Sequence, residues 1–230
     1  MSTRIPGNKI ALLLAVTSSL IIGYGVYYVK TIRAEFLPDQ LKEAGFSQFL
    51  TNLSAVLTLV YFFTSIVAHA SGSSAIFHAK NNYILPVVIS LEFIVTAVYW
   101  SLKIFFTHLI VMVDTVPIAV DFPLHITPFV ALVLDYFLFN PQFTIPSMVA
   151  LILCAILTAG YWYWLEYLID IEKGQLYPYP FLNIEHNKRV GIFVFIGLLA
   201  FVGFAVLRLL YDVIIGEKSI EDNEGKEKKD

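Results

Sequence analysis

Six apolar runs, at residues 9–29, 49–69, 84–106, 122–139, 146–169 and 190–211, take up most of this chain of 230 residues. A helix crosses the hydrocarbon of a bilayer with roughly 20 predominantly apolar residues, and each run approaches that length. Composition points the same way, because only 14% of the residues are charged and 58% are hydrophobic, whereas soluble domains carry about 25% charged residues. The connections between runs are too short to build a soluble domain with a core of its own. The expected fold is therefore all-α: a polytopic membrane helical bundle of about six transmembrane helices over residues 1–215, followed by a charged tail over 216–230.

Arg4 and Lys9 precede the first run as they would in a signal peptide, yet the run stays apolar to Val29 without a clear small-x-small cleavage site, so it is expected to be a retained span. Cys154 is the only cysteine and lies inside the fifth run, which makes an intrachain disulfide impossible and the thiol a packing group. Six crossings put both termini on one side, called side A, with residues 70–83 and 140–145; the other three connections lie on side B. Eight Lys and Arg on side A against seven on side B give no orientation. The tail supplies one: Lys226 and Lys228, five and three positions from the end, resemble the dilysine retrieval signal of endoplasmic reticulum membrane proteins, which is read from the cytosol. The expectation is an endoplasmic reticulum protein with both termini cytosolic.

Polar groups at membrane depth must find partners, because an unsatisfied one costs several kcal/mol in hydrocarbon. In the second run Thr51, Ser54, Thr58, Tyr61, Ser65 and His69 follow one another by three, four, three, four and four residues, which stacks them on one helical face. Such a stripe serves helix packing as readily as chemistry. The fourth run opens with Asp121 and Pro123, which predicts a helix start with Asp121 as N-cap, and His125 follows one turn inside. Asp121 and His125 are four residues apart and share a face, so the carboxylate can orient the imidazole. Pro128 removes the helical donor of the Leu124 carbonyl.

Both runs enter from side B, so Thr51 and His125 are expected about one turn below the same interface. A hydroxyl nucleophile needs such an adjacent base, since its own pKa makes it weak. Asp114 or Asp121 would orient the imidazole, and Asn52 is a geometric candidate for an oxyanion donor. Glu92, inside the third run with Thr96, Tyr99 and Lys103 on its face, is a functional candidate because it is an intramembrane carboxylate, and it is expected to be structural or to tune the pocket without acting as the base. Asp135 is a similar candidate nearer side A. Tyr161, Trp162, Tyr163, Trp164 and Tyr167, with the Tyr177-Pro178-Tyr179-Pro180 segment, suit an interfacial aromatic belt. Ser71 to Ser74 lack a G-x-S-x-G elbow, and no zinc-ligand spacing occurs. Neither a metal nor an organic cofactor is suggested, and nothing points to nucleic acid.

Three stretches carry a family resemblance: Phe49 to Leu53; Val113-Asp114 through Asp121-Phe122-Pro123-Leu124-His125 to Asp135; and Gly160 to Trp164, running into Gly174-Gln175-Leu176-Tyr177-Pro178-Tyr179-Pro180-Phe181-Leu182. In order and spacing the chain resembles the androgen-induced membrane protein family. The resemblance implies a multi-pass membrane protein with cytosolic termini that hydrolyses fatty acid esters of hydroxy fatty acids, with a threonine nucleophile and a histidine. By motif position those roles fall on Thr51 and His125, and the partner implied is a lipid ester within the bilayer. The chain departs from the animal members at Asp121-Phe122, where they have an Asn-His pair, and at Asp135, where they have Glu. Without the resemblance, a lipid-binding or scaffolding bundle, or a small transporter, fits the same stripe.

Overall fold

The computed structural model describes residues 4–109 and 117–216. Its helices are α1 (Lys9–Thr31), α2 (Asp39–Lys42), α3 (Leu50–Ser71), α4 (Ser74–Ala79), α5 (Leu85–Phe105), α6 (Ile118–His125), α7 (Thr127–Phe139), α8 (Ser147–Leu168) and α9 (His186–Tyr211). The expected runs at 9–29, 49–69 and 146–169 match α1, α3 and α8 to within a few residues. Each start and stop has a local cause. The Asn8 side chain caps α1 by accepting the Ile10 and Ala11 N–H groups, as a short polar side chain does for orphan first-turn donors. Gly72 ends α3 with φ at 68°, a left-handed conformation that glycine adopts without Cβ strain.

The structure revises two expectations. The 70–83 connection is mostly helical: α4 runs through a π-helical turn, Lys80–Ile84, into α5, so that Ser74–Phe105 forms one long apolar element. The fourth run is not a straight helix capped by Asp121. It is a broken span in which α6 starts after Pro117, and α6 and α7 meet at a bend of 41°. Pro117 sets the start because the residue after it enters the helix with no N–H needed from the proline. The break falls at Ile126, two residues before Pro128, whose ring disfavours continuing the helix through the preceding turn. His125 is consequently the last residue of α6 and not one turn from a helix start. Among the described residues five helices are long and apolar enough to cross a membrane, or up to six with α6 and α7 counted as one bent span.

The bundle packs α1 against α3, α6 and α7, α5 against α3 and α9, and α8 against α9. Close approach needs small residues, as it does between membrane helices generally. A Cβ on Gly25 of α1 would sit 3.0 Å from both Pro123 and Leu124, so that glycine lets α6 seat on α1. A Cβ on Gly203 of α9 would overlap the Phe93 ring of α5. The Arg4 guanidinium lies over the Tyr211 ring and donates to the Phe137 carbonyl, which brings the N-terminus and the end of α9 to the same end of the bundle. Thr51, Tyr161 and Tyr179 gather at the other end. The tail beyond Gly216 and Asp114 lie outside the described residues.

Candidate active site

The polar stripe read from the second run is buried along its whole length in α3, and its neighbours divide it into three parts. At the first turn stands Thr51, 9% exposed. One and two turns further, Ser54 donates to the Thr51 carbonyl and Thr58 donates to Glu92 Oε1 at 2.9 Å. Beyond them Tyr61 enters a cluster with Lys80, Asp135 and Asn140. Two carboxylates that sequence reasoning left in the candidate set are thus held elsewhere. Glu92, fully buried, faces Thr58, and Asp135 pairs with Lys80.

Thr51 lines an apolar cleft between α3, α5, α8 and α9, together with Tyr99, Cys154, Tyr161, Tyr179 and Ala200. The cavity volume is about 100 Å³. On that measure a single water needs about 10–15 Å³, so the cleft has room for a small group and not for a whole lipid. The loop between α8 and α9 closes one wall. Proline after Tyr177 and after Tyr179 favours extended backbone at both tyrosines, and Tyr179 does adopt φ −118°, ψ 128°. Asn183 fixes the loop by accepting the Tyr177 N–H and donating to the Tyr177 carbonyl. Tyr177 in turn donates to Glu166 at 2.7 Å beneath the Arg189 guanidinium, and burial followed by that bond to Glu166 pushes its phenol up to about 12.

Tyr179 is held against the start of α3. Its hydroxyl oxygen accepts the Leu50 N–H at 3.1 Å, one of the first-turn donors that a helix cannot satisfy internally. Burial pushes its phenol up, opposed by hydrogen bonds from the Thr51 side chain and from the Thr51 and Leu50 backbone, so the group keeps its proton at neutral pH. Tyr161, beside it, donates to the Gln48 carbonyl at 2.7 Å, and Trp164 donates to the Ser47 carbonyl. These rings were expected in an interfacial belt. Tyr161 and Tyr179 instead form the cleft wall, while Tyr163 and Tyr167 are exposed as a belt requires. Asn52 directs its amide to the Phe46 carbonyl at 2.9 Å, which ties down the entrance to α3.

His125 is built on the opposite helix. Its Nδ1 lies 2.9 Å from Asp121 Oδ1 and 3.2 Å from the Asp121 carbonyl. A carboxylate at Nδ1 fixes the proton there and leaves Nε2 as the basic nitrogen. Asp121 is fully buried and also accepts from the Tyr99 hydroxyl and the Lys103 ammonium. Lys103, which shares a helical face with Glu92, gives its ammonium to Asp121. The Tyr99 ring lies flat on the imidazole, with centroids 3.5 Å apart and planes within 6°. Trp100 Nε1 donates to the His125 carbonyl, one of the acceptors that the break before Pro128 leaves without a helical donor. Tyr99 is on the cleft wall and His125 stands behind it. Among the described residues no hydrogen bond joins Thr51 to His125; Tyr99, which touches the imidazole and lines the cleft with Thr51, connects the two. Among the described residues no group of three or more His, Cys, Asp or Glu side chains converges as metal ligands would.

The fold and this arrangement define a polytopic helical membrane protein with a hydroxyl-lined apolar cleft and a buried Asp–His pair beside it. The chain belongs to the family described as FAR-17a/AIG1-like protein, whose model matches residues 10–212. It is similar to the UPF0641 membrane protein YHR140W of Saccharomyces cerevisiae, 32% identical over 178 residues that cover 70% of this chain and 74% of the yeast protein. It is also similar to the UPF0641 membrane protein PJ4664.05 of Schizosaccharomyces pombe, 28% identical over 168 residues covering 71% of this chain and 74% of that protein. No solved structure matches the chain.

Proposed function

We propose that this protein is a membrane-embedded lipid ester hydrolase in which Thr51 is the nucleophile and His125 the general base, oriented by Asp121. The observation that carries the reading is the buried carboxylate 2.9 Å from His125 Nδ1, an arrangement that prepares Nε2 to take a proton. In the reaction Thr51 Oγ bonds to the ester carbonyl carbon, its proton goes to His125 Nε2, and the carbonyl π pair becomes an oxyanion. Collapse of that intermediate breaks the carbon–alkoxy bond, and His125 returns the proton to the departing alkoxide. Water, activated by the same histidine, then hydrolyses the acyl-threonine. For Thr51 Oγ to reach His125 Nε2, the Tyr99 ring that covers the imidazole on the cleft side moves aside as the substrate binds.

The substrate class is an amphiphilic acyl ester such as a fatty acid ester of a hydroxy fatty acid. An apolar cleft with a few polar groups at one end suits an ester carbonyl whose chains remain in lipid. The protein resides in the endoplasmic reticulum membrane with both termini cytosolic, as its resemblance to the family implies. A second reading, a lipid-binding bundle without chemistry, is favoured by the missing Thr51–His125 hydrogen bond. Labelling with a fluorophosphonate separates the two, because the reagent needs an activated hydroxyl. A hydrolase is labelled in the wild type and not in Thr51→Ala; a passive bundle is labelled in neither.

A further inference from the structure

The reaction above leaves its oxyanion without a donor. Asn52, the sequence candidate, gives its amide to the Phe46 carbonyl. A tetrahedral oxygen formed on Thr51 needs a preorganised donor in a site that excludes water, since such donors act where charge develops.

The aromatic loop supplies one. Tyr179 lines the cleft beside Thr51, and its hydroxyl oxygen is already anchored, accepting the Leu50 N–H at 3.1 Å from the first turn of α3. An acceptor bond on a phenol oxygen polarises its O–H and strengthens it as a donor. The ring cannot easily swing away: Phe49 meets it edge-on at 6.1 Å and Phe181 stacks on it at 5.4 Å. Tyr161, the other hydroxyl on this wall, commits its own proton to the Gln48 carbonyl, whereas the Tyr179 hydroxyl is hydrogen-bonded with the Thr51 side chain and so stands next to the nucleophile. The backbone on either side is fixed by Pro178 and Pro180, so the segment that looks like an interfacial anchor in the sequence is a rigid mount for one phenol.

We propose that Tyr179 is a catalytic residue of the Thr51 reaction, its phenol O–H donating a hydrogen bond to the oxyanion formed as Thr51 Oγ attacks the ester. The phenol keeps its proton throughout: it donates a hydrogen bond, and proton transfer stays between Thr51, His125 and the alkoxide. This inference rests on the hydrolase reading of Thr51, and the test distinguishes the two.

Purified full-length protein in detergent micelles is assayed with a long-chain p-nitrophenyl ester, and Thr51 labelling is followed in parallel with a fluorophosphonate. Tyr179→Phe keeps the ring packing and removes the hydroxyl, and it lowers kcat by about 10²–10³-fold with KM changed by no more than a few fold, the loss typical of one oxyanion donor. Tyr161→Phe costs less than about tenfold, because that hydroxyl already gives its proton to the Gln48 carbonyl. Replacing Tyr179 with 3,5-difluorotyrosine, which acidifies the phenol at nearly constant shape, makes kcat fall at a lower alkaline pH than in the wild type, and this readout survives if the phenylalanine variant folds poorly. Wild-type hydrolysis with Thr51 labelling, together with an unchanged kcat in Tyr179→Phe and an unchanged pH profile in the fluorinated protein, overturns the role of Tyr179 and leaves Thr51 standing. Absence of both hydrolysis and labelling in the wild type overturns the hydrolase reading and this inference with it.

Discussion

The two ends of the α3 stripe use polar groups in opposite ways. At the Thr51 end, hydroxyls open onto a cleft, and a charged unit, Asp121 with His125, Tyr99 and Lys103, stands directly behind its wall. At the other end Lys80 and Asp135 are sealed, with both side chains 0% exposed. The Lys80 ammonium there reaches the Tyr61 hydroxyl, Asn81 and Asn140 at 2.8–3.1 Å and Asp135 at 3.4 Å, while Asn140 donates to Asp135 at 2.7 Å. The first set borders a cavity through Thr51 and Tyr99, whereas the second ties α3, the π-helical turn before α5, and α7 together. The lesson is that a polar residue at membrane depth is open to a ligand only where its neighbours leave it a cavity. Desolvation of the sealed pair is offset by its hydrogen bonds, and the pair defines geometry more than it adds stability.

The largest expected effect breaks the cleft end. His125→Ala lowers ester hydrolysis by roughly 10⁶-fold, as loss of a nucleophile–base member does, and adding Thr51→Ala makes it scarcely worse because the two act as a unit. Steady-state rates on protein of equal monodispersity check this. Asp121→Asn follows, with a loss of about 10⁴-fold, because the amide no longer accepts from Nδ1 in the same way and the imidazole loses its productive tautomer. If both variants hydrolyse like the wild type, the Asp–His pair is structural and the contrast between the two ends disappears.

At the sealed end the effect falls on stability. Lys80→Met leaves Asp135 buried without its cation and costs about 3–5 kcal/mol, while the double variant Lys80→Met/Asp135→Leu recovers most of that loss. Thermal unfolding in detergent reads both. A Lys80→Met protein that is as stable as wild type yet inactive would make the sealed cluster functional and erase the distinction. The smallest effect sharpens the comparison: Gly25→Ala puts a methyl group 3.0 Å from Pro123 and Leu124, so α6 shifts by a few tenths of an ångström. The expected cost is about 1–3 kcal/mol of stability, as for overpacking, with a larger proportional loss of hydrolysis than Lys80→Met shows at equal folded fraction, since α6 carries His125.

Much of this was legible in the sequence because membrane helices follow simple rules. Run length gave the spans, the three-and-four spacing from Thr51 to His69 gave the buried face, and the four-residue spacing gave the Asp121–His125 contact. Other features depend on encounters that local pattern does not contain. Lys80 was counted as a connecting-loop charge; its partner Asp135 is 55 residues away, and only the π-helical turn aims it inward. Tyr179 and Tyr161 satisfied the composition rule for an interfacial belt, and their place on the cleft wall comes from tertiary bonds to Leu50 and Gln48. Asp121 looked like an N-cap because proline followed two residues later, whereas Pro117 had already begun the helix. The signal available for Tyr179 was the Tyr-Pro-Tyr-Pro repeat, since two prolines fix a backbone more rigidly than membrane anchoring requires.

The central claim is that Thr51 becomes acylated during turnover. Purified protein is mixed with a long-chain acyl ester, quenched in acid within the first turnovers, digested, and analysed by mass spectrometry of the peptide that contains Thr51. The account predicts a mass increase equal to the acyl group on Thr51, growing in Asp121→Asn if deacylation slows more than acylation, and absent in Thr51→Ala. Continued hydrolysis by Thr51→Ala, or an acyl group found on a different residue of the active wild-type protein, would contradict it.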